Sequence, residues 1–182
     1  MLPSFSELHF FSNSWESRVV LDSWSGFRFQ PDAYVRGGLD ALSNGSSGLY
    51  IDVPTNRTSP SVEQISAYEY LREHEEAIHK LVLQHIFEDY PNAQEAYYGE
   101  EELALYMPNI ERPEQLKTLI GLSNVLVLNT IKQNIGYIVF NFRSGWDPEH
   151  GFSVTLHKDR IVSKIGGPGE ADFHARRDAR GD

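Results

Sequence analysis

The spacing of apolar residues changes twice along the chain and divides it into three stretches. Up to about residue 60, apolar positions come in short runs broken by turn formers. Arg18-Val-Val-Leu21, the alternating Gly26-Phe-Arg-Phe-Gln30 and Leu49-Tyr-Ile-Asp-Val53 predict strands. Gly37-Gly38 and Asn44-Gly-Ser-Ser-Gly48 predict flexible turns, and Pro54 limits the third strand.

From Ser61 the spacing becomes helical. Ser61 and Gln64 have the separation of a capping box, in which each side chain satisfies a backbone N–H of the first turn. Ile65, Tyr68, Leu71, Ile78, Leu81, Val82 and Ile86 then predict a long helix to about Asp89, with Tyr90-Pro91 as its end. Ala93 to Met107 predicts further helix interrupted at Gly99. Pro113 to Ile120 predicts a short helix with Gly121 as its C-terminal stop.

The third stretch alternates again. Asn124-Val-Leu-Val-Leu-Asn129 is apolar on both faces, as a central strand under helices is. Lys132-Gln-Asn134 predicts a turn into Ile135–Phe142. A loop at 145–151, a strand at Phe152–His157 and a Lys158-Asp-Arg160 turn into Ile161-Val162 complete a meander. Gly166-Gly-Pro-Gly169 breaks the pattern, and the polar end 174–182 is expected to be disordered. The fold expected is therefore α+β: one domain over 1–173 in which a mainly antiparallel sheet, N-terminal strands plus C-terminal meander, packs against a helical segment at 61–120.

Charge adds a localised feature. The formal net charge is −10, and 13 acidic against three basic residues between Ser61 and Gln115 account for all of it. Such a face repels phosphate backbones, so nucleic acid is not an expected partner, and it would speed encounter with a basic protein. Glu73, Glu76, Glu100, Glu101 and Glu102 are the candidate partner-facing residues. With no cysteine there is no disulfide framework or thiolate metal site. No apolar run approaches the roughly 20 residues that span a bilayer, and the first residues lack a signal-peptide pattern, so a cytoplasmic protein without membrane contact is expected.

Candidate chemistry concentrates in Gly145-Trp-Asp-Pro-Glu-His-Gly151, a loop that holds an aromatic, two carboxylates and an imidazole between glycines. Trp146, Asp147, Glu149 and His150 are its candidate binding residues. Asp147 before Pro148 can cap backbone N–H groups as an Asx-turn, and Gly151 allows a positive φ, so a specified turn explains the composition as well as a site does. A metal is not expected. His74 and His79 stand five residues apart, about 140° around a helix, and His150 and His157 are separated by roughly 23 Å of extended chain and point to opposite faces. No nucleophile elbow or phosphate loop occurs, so no catalytic residue or cofactor is assigned.

Trp24-Ser-Gly-Phe27, the helix around Tyr70-Leu71, Tyr90-Pro91, Ile120-Gly-Leu-Ser123, Gly136-Tyr-Ile-Val-Phe140, Trp146-Asp-Pro-Glu-His-Gly151, His157-Lys-Asp-Arg160 and Ala171-Asp-Phe173 form a shared pattern. On these residues the chain resembles an uncharacterised bacterial family, a domain of unknown function with a Trp-Asp-x-Glu-His-Gly loop. Ser153 stands where members carry a second glycine. The resemblance implies no established activity, and such families often occur beside bacterial toxin–immunity genes. The leading expectation is a non-enzymatic protein-binding domain of the immunity or antidote type. The alternative is a hydrolase or other enzyme using Asp147, Glu149 and His150.

Overall fold

A computed structural model describes residues 9–11, 14–28, 42–53, 59–96, 104–147, 149–163 and 165–182. Phe29-Gln30, the Gly37-Gly38 turn, Pro54, Tyr97-Tyr98, Gly99 and the candidates Glu100, Glu101 and Glu102 lie outside these residues, as does Pro148 of the loop.

Seven strands form one sheet in chain order: β1 (His9–Phe11), β2 (Ser14–Arg28), β3 (Leu42–Asp52), β4 (Ile120–Lys132), β5 (Ile135–Ser144), β6 (Phe152–His157) and β7 (Arg160–Ile161). Neighbours are antiparallel except β3 and β4, which run parallel with Gly48 opposite Asn124 and Ile51 opposite Val127. A parallel pair needs a crossover, and α1 (Val62–Glu73) and α2 (Glu75–Ala96) lie within it. The architecture is α+β, as the sequence pattern predicts.

The expected strand at 18–21 and the described part, 26–28, of the one expected at 26–30 belong to the single strand β2, which bulges between Val20 and Ser25. The expected turn at 44–48 is also strand. Its turn-forming residues act locally instead: Gly45 takes φ +82° and donates to Ser43 Oγ, while Ser46 N–H donates to Asn44 Oδ1, both at 3.0 Å. A Cβ at Gly45 would stand 2.5 Å from the Leu21 carbonyl oxygen, so the distortion requires glycine.

The capping box at Ser61 and Gln64 is present. The Gln64 amide also donates to the carbonyls of Asp52 and Leu128, tying the start of α1 to β3 and β4. The long helix is broken once and runs further than expected. At the break, the Tyr70 carbonyl accepts both the backbone N–H and the ring Nδ1 of His74, each at 3.0 Å, and the imidazole stacks on Tyr70. Beyond Pro91, α2 continues to Ala96. Tyr90 Oη donates to the Pro108 carbonyl (3.0 Å) and Gln94 Nε2 to that of Met107 (2.8 Å), and these bonds help offset the helix bond that proline removes. The short helix is a 3-10 turn, Pro113–Thr118. Gly121 is not its stop: it lies inside β4, paired with Arg143.

One face of the sheet packs on α1 and α2 through a core that includes Trp24, Phe140, Phe142, Val125, Val127, Leu71, Val82 and Ile86. The other face is covered in part by a third helix, α3 (Ala171–Arg180). Residues 174–182 are thus mostly helical rather than disordered. Ala171, Ala175 and Ala179 recur every four residues, and these small side chains let α3 settle on Leu128, Tyr137 and Val139. Asp178 then latches it. Its carboxylate accepts from Tyr137 Oη (2.7 Å), Lys132 Nζ (3.1 Å) and Arg160 Nη2 (2.7 Å). No helix among the described residues is long and apolar enough to cross a membrane.

His79 is half-buried against the main core, edge-on to Trp24 (4.6 Å) and Phe27 (5.6 Å), and its Nε2 has no hydrogen-bond partner among the described residues. Burial lowers its pKa, and Lys117 and Lys80 add to the shift against Glu75 and Glu76. In the unfolded chain the ring takes up a proton near pH 6.5, so below that pH the unfolded state binds more protons and stability falls. Urea denaturation at pH 7.5 and 5.5 is expected to show this loss, and His79→Leu should reduce it. An equal loss in the variant would assign the pH dependence to other groups.

Candidate functional site

The Trp146–Gly151 loop divides its side chains between the two faces of the sheet. Trp146 turns to the main core, where it stacks on Phe152 (5.7 Å, 13° between planes) and meets Tyr90 edge-on at 5.6 Å. Burial pushes the Tyr90 phenol up to about 12. Trp146 thus anchors the loop to α2 and β6.

Asp147 organises the turn. Its backbone N–H donates to Ser144 Oγ (3.2 Å), its carbonyl accepts from Gly151 N–H (3.0 Å), and its Oδ1 accepts from His150 N–H (3.0 Å). His150 Nδ1 lies 3.2 Å from the same oxygen. Gly151 closes the turn at φ +66°, where a Cβ would collide with the Phe142 carbonyl oxygen. The capping role expected of Asp147 and the positive φ expected of Gly151 are both present.

Glu149 and His150 are exposed and face the second side of the sheet. There they join Ser123, Asn124, Asn141, Arg143 and Pro168 around a groove of about 200 Å³. Its floor is made by Asn124 of β4 and Asn141 of β5, which are partners in register. The same strand faces carry Leu126 and Val139, further along beside α3. Pro168 opens the short turn that leads into α3, so the entry to the helix that covers one part of this face walls one side of the groove.

Of the loop residues singled out in the sequence, the structure brings Glu149 and His150 to one groove and assigns Trp146 and Asp147 to holding the loop. Asn124, Asn141, Ser123, Arg143 and Pro168 escape sequence reasoning. The one available signal was an asparagine interrupting the apolar run Ile138-Val-Phe-Asn-Phe142. His157 lies at the far end of β6, buried, with its Nε2 donating to the Lys132 carbonyl at 2.9 Å and its ring against Tyr137. Glu73 and Glu76 are exposed on α1 and α2, across the sheet from the groove, and Lys80 Nζ is 2.7 Å from Glu76 Oε1.

Among the described residues no group of three or more histidine, aspartate or glutamate side chains is placed to hold a metal ion. No curated protein matches the chain, and no solved structure does. One family model matches, over residues 31–171, a span that takes in the crossover helices, the loop and the floor of the groove. The chain belongs to that family, a domain of unknown function (DUF6985).

Proposed function

We propose that this domain is a non-enzymatic protein-binding module, of the immunity or antidote kind, whose basic partner docks on the solvent side of α1 and α2. The supporting observation is the uncompensated charge there. Glu69, Glu73, Glu88 and Glu95 are exposed and make no ion pair among the described residues. The only lysine or arginine residues on the two helices are Arg72 and Lys80, and both are engaged. Arg72 donates to the Val20 carbonyl and pairs with Glu75, and Lys80 pairs with Glu76. Closely spaced charges of one sign repel, so the protein gains by bringing a cationic surface against them. The loop fits a binding role better than an enzymatic one, because the Asp147 carboxylate that a hydrolase would use is committed to the backbone and ring of His150.

The test is affinity capture at about 50 mM salt, where surface charges are weakly screened, comparing wild type with a Glu69→Lys, Glu73→Lys, Glu88→Lys variant. A basic protein held by wild type, released by salt and retained at least tenfold less by the variant is the expected result. Capture unaffected by the charge reversal, or none at low salt, would overturn the reading.

A further inference from the structure

The groove floor carries an unfinished hydrogen-bond pattern. Asn141 Nδ2 donates to Asn124 Oδ1 at 2.7 Å, which uses one half of each carboxamide. Of the remaining halves, Asn124 Nδ2 reaches, among the described residues, only Ser123 Oγ, at a marginal 3.5 Å. Asn141 Oδ1 is screened from solvent and, among the described residues, accepts from no donor. Interchanging O and N in both amides leaves the same surplus, one carbonyl and one NH2 side by side. A screened carbonyl without a donor is costly, and proteins leave few of them. The groove above it is polar at its floor and rim, and Asp147 and Trp146 hold its wall in place.

We propose that this groove binds a small ligand bearing a primary carboxamide, of the size of free asparagine or glutamine. The ligand's carbonyl would accept from Asn124 and its NH2 would donate to Asn141 Oδ1, which closes the amide pattern on both sides. Because that oxygen is screened in the unliganded chain, binding requires the Asn141 carboxamide to turn about its terminal torsion, which is broad for asparagine. The volume of about 200 Å³ is below the range of roughly 300–1,000 Å³ typical of drug-sized ligands, which suits one amino acid. At the mouth, the exposed Glu149 carboxylate and His150 imidazole stand where the ammonium and carboxylate of such a zwitterion could meet them. A ligand acid of the same shape puts carboxylate oxygen against Asn141 Oδ1, where no proton is shared, and is discriminated against.

The site lies across the sheet from the acidic helices, so it does not rest on the basic-partner reading and the two can fail separately. Calorimetry and the side-chain amide resonances of the full chain would be followed during titration with glutamine, asparagine, glutamate, aspartate and an N-acetylated glutamine methylamide. Glutamine or asparagine is expected to move the Asn124 and Asn141 signals, with the matching acid binding about tenfold more weakly or less. Asn141→Leu should abolish binding, and Asn124→Ala serves if that variant does not fold. No response up to about 10 mM ligand, weaker than any millimolar site, would overturn the proposal, as would equal binding of acid and amide. Binding of the blocked form alone would overturn the free-ligand assignment and place the carboxamide on a polypeptide.

Discussion

Gly151→Ala is expected to lower stability by about 3 kcal/mol, as the sum of a left-handed backbone imposed on alanine and a collision with a neighbouring carbonyl. Gly151 holds φ +66°, and the oxygen a Cβ would strike belongs to Phe142, which pairs with Phe152 in the adjoining hairpin. Relief of the collision must therefore open the β5–β6 pairing or unwind the Asp147 turn. In a chain of this size the loss corresponds to a fall in Tm of roughly 10 °C. Gly167→Ala is the control, because among the described residues no atom beyond its own chain neighbours lies within 4 Å of the Cβ it would add. Thermal or urea denaturation of both variants checks the argument. Equal stability of the two would mean that the loop accommodates a side chain, and that its glycine has no structural role.

Asp178→Asn is the second large effect. The carboxylate serves three donors on three strands: Lys132 at the end of β4, Tyr137 on β5 and Arg160 on β7. Asparagine keeps the shape but loses the charge, and leaves Lys132 and Arg160 facing a neutral amide. The expected cost is about 2 kcal/mol, below the range for breaking a fully buried pair because Arg160 is half exposed. Arg160 above all, then Tyr137 and Lys132, holds the Asp178 carboxyl far below the usual carboxylate range. With the folded-state pKa depressed, the latch contributes its full stability above the unfolded value near 3.9 and loses it as pH falls below that. Hydrogen exchange should show Ala171–Arg180 opening in the variant while β4 and β5 amides stay protected. Denaturation followed from about pH 6 down through and below the unfolded value near 3.9 should show the wild type progressively losing its advantage over Asp178→Asn. Protection of α3 unchanged in the variant would refute the latch.

Legibility in the sequence tracked the range of the interactions. The Ser61–Gln64 box, the turn at Gln133-Asn134 and the Asp147 cap depend on residues within four positions, and each is where the pattern placed it. The order of 174–182 was invisible because its cause is remote: three alanines need Leu128, Tyr137 and Val139 to sit on, and Asp178 needs donors up to 46 residues away. Likewise, a bond from the His74 ring to its own helix ends α1, where periodicity alone continues. The loop was legible as a loop. Its groove was not, since the groove exists only once register sets Asn124 opposite Asn141.

The parallel pairing of β3 with β4 bears on how the chain reaches this fold. The hairpin of β2 and β3 and the meander from β4 to β7 each assemble from contacts near in sequence, whereas the seam joins Gly48 to Asn124, 76 positions apart. Only four register pairs make the seam, so it yields little enthalpy until the loop entropy of closing it has been met. Two locally formed halves waiting on one long-range closure is a topology whose folding rate is set at that closure. Substitutions along Leu49–Ile51 or Val125–Val127 should therefore slow folding, while those in the outer meander should act mainly on the rate of unfolding.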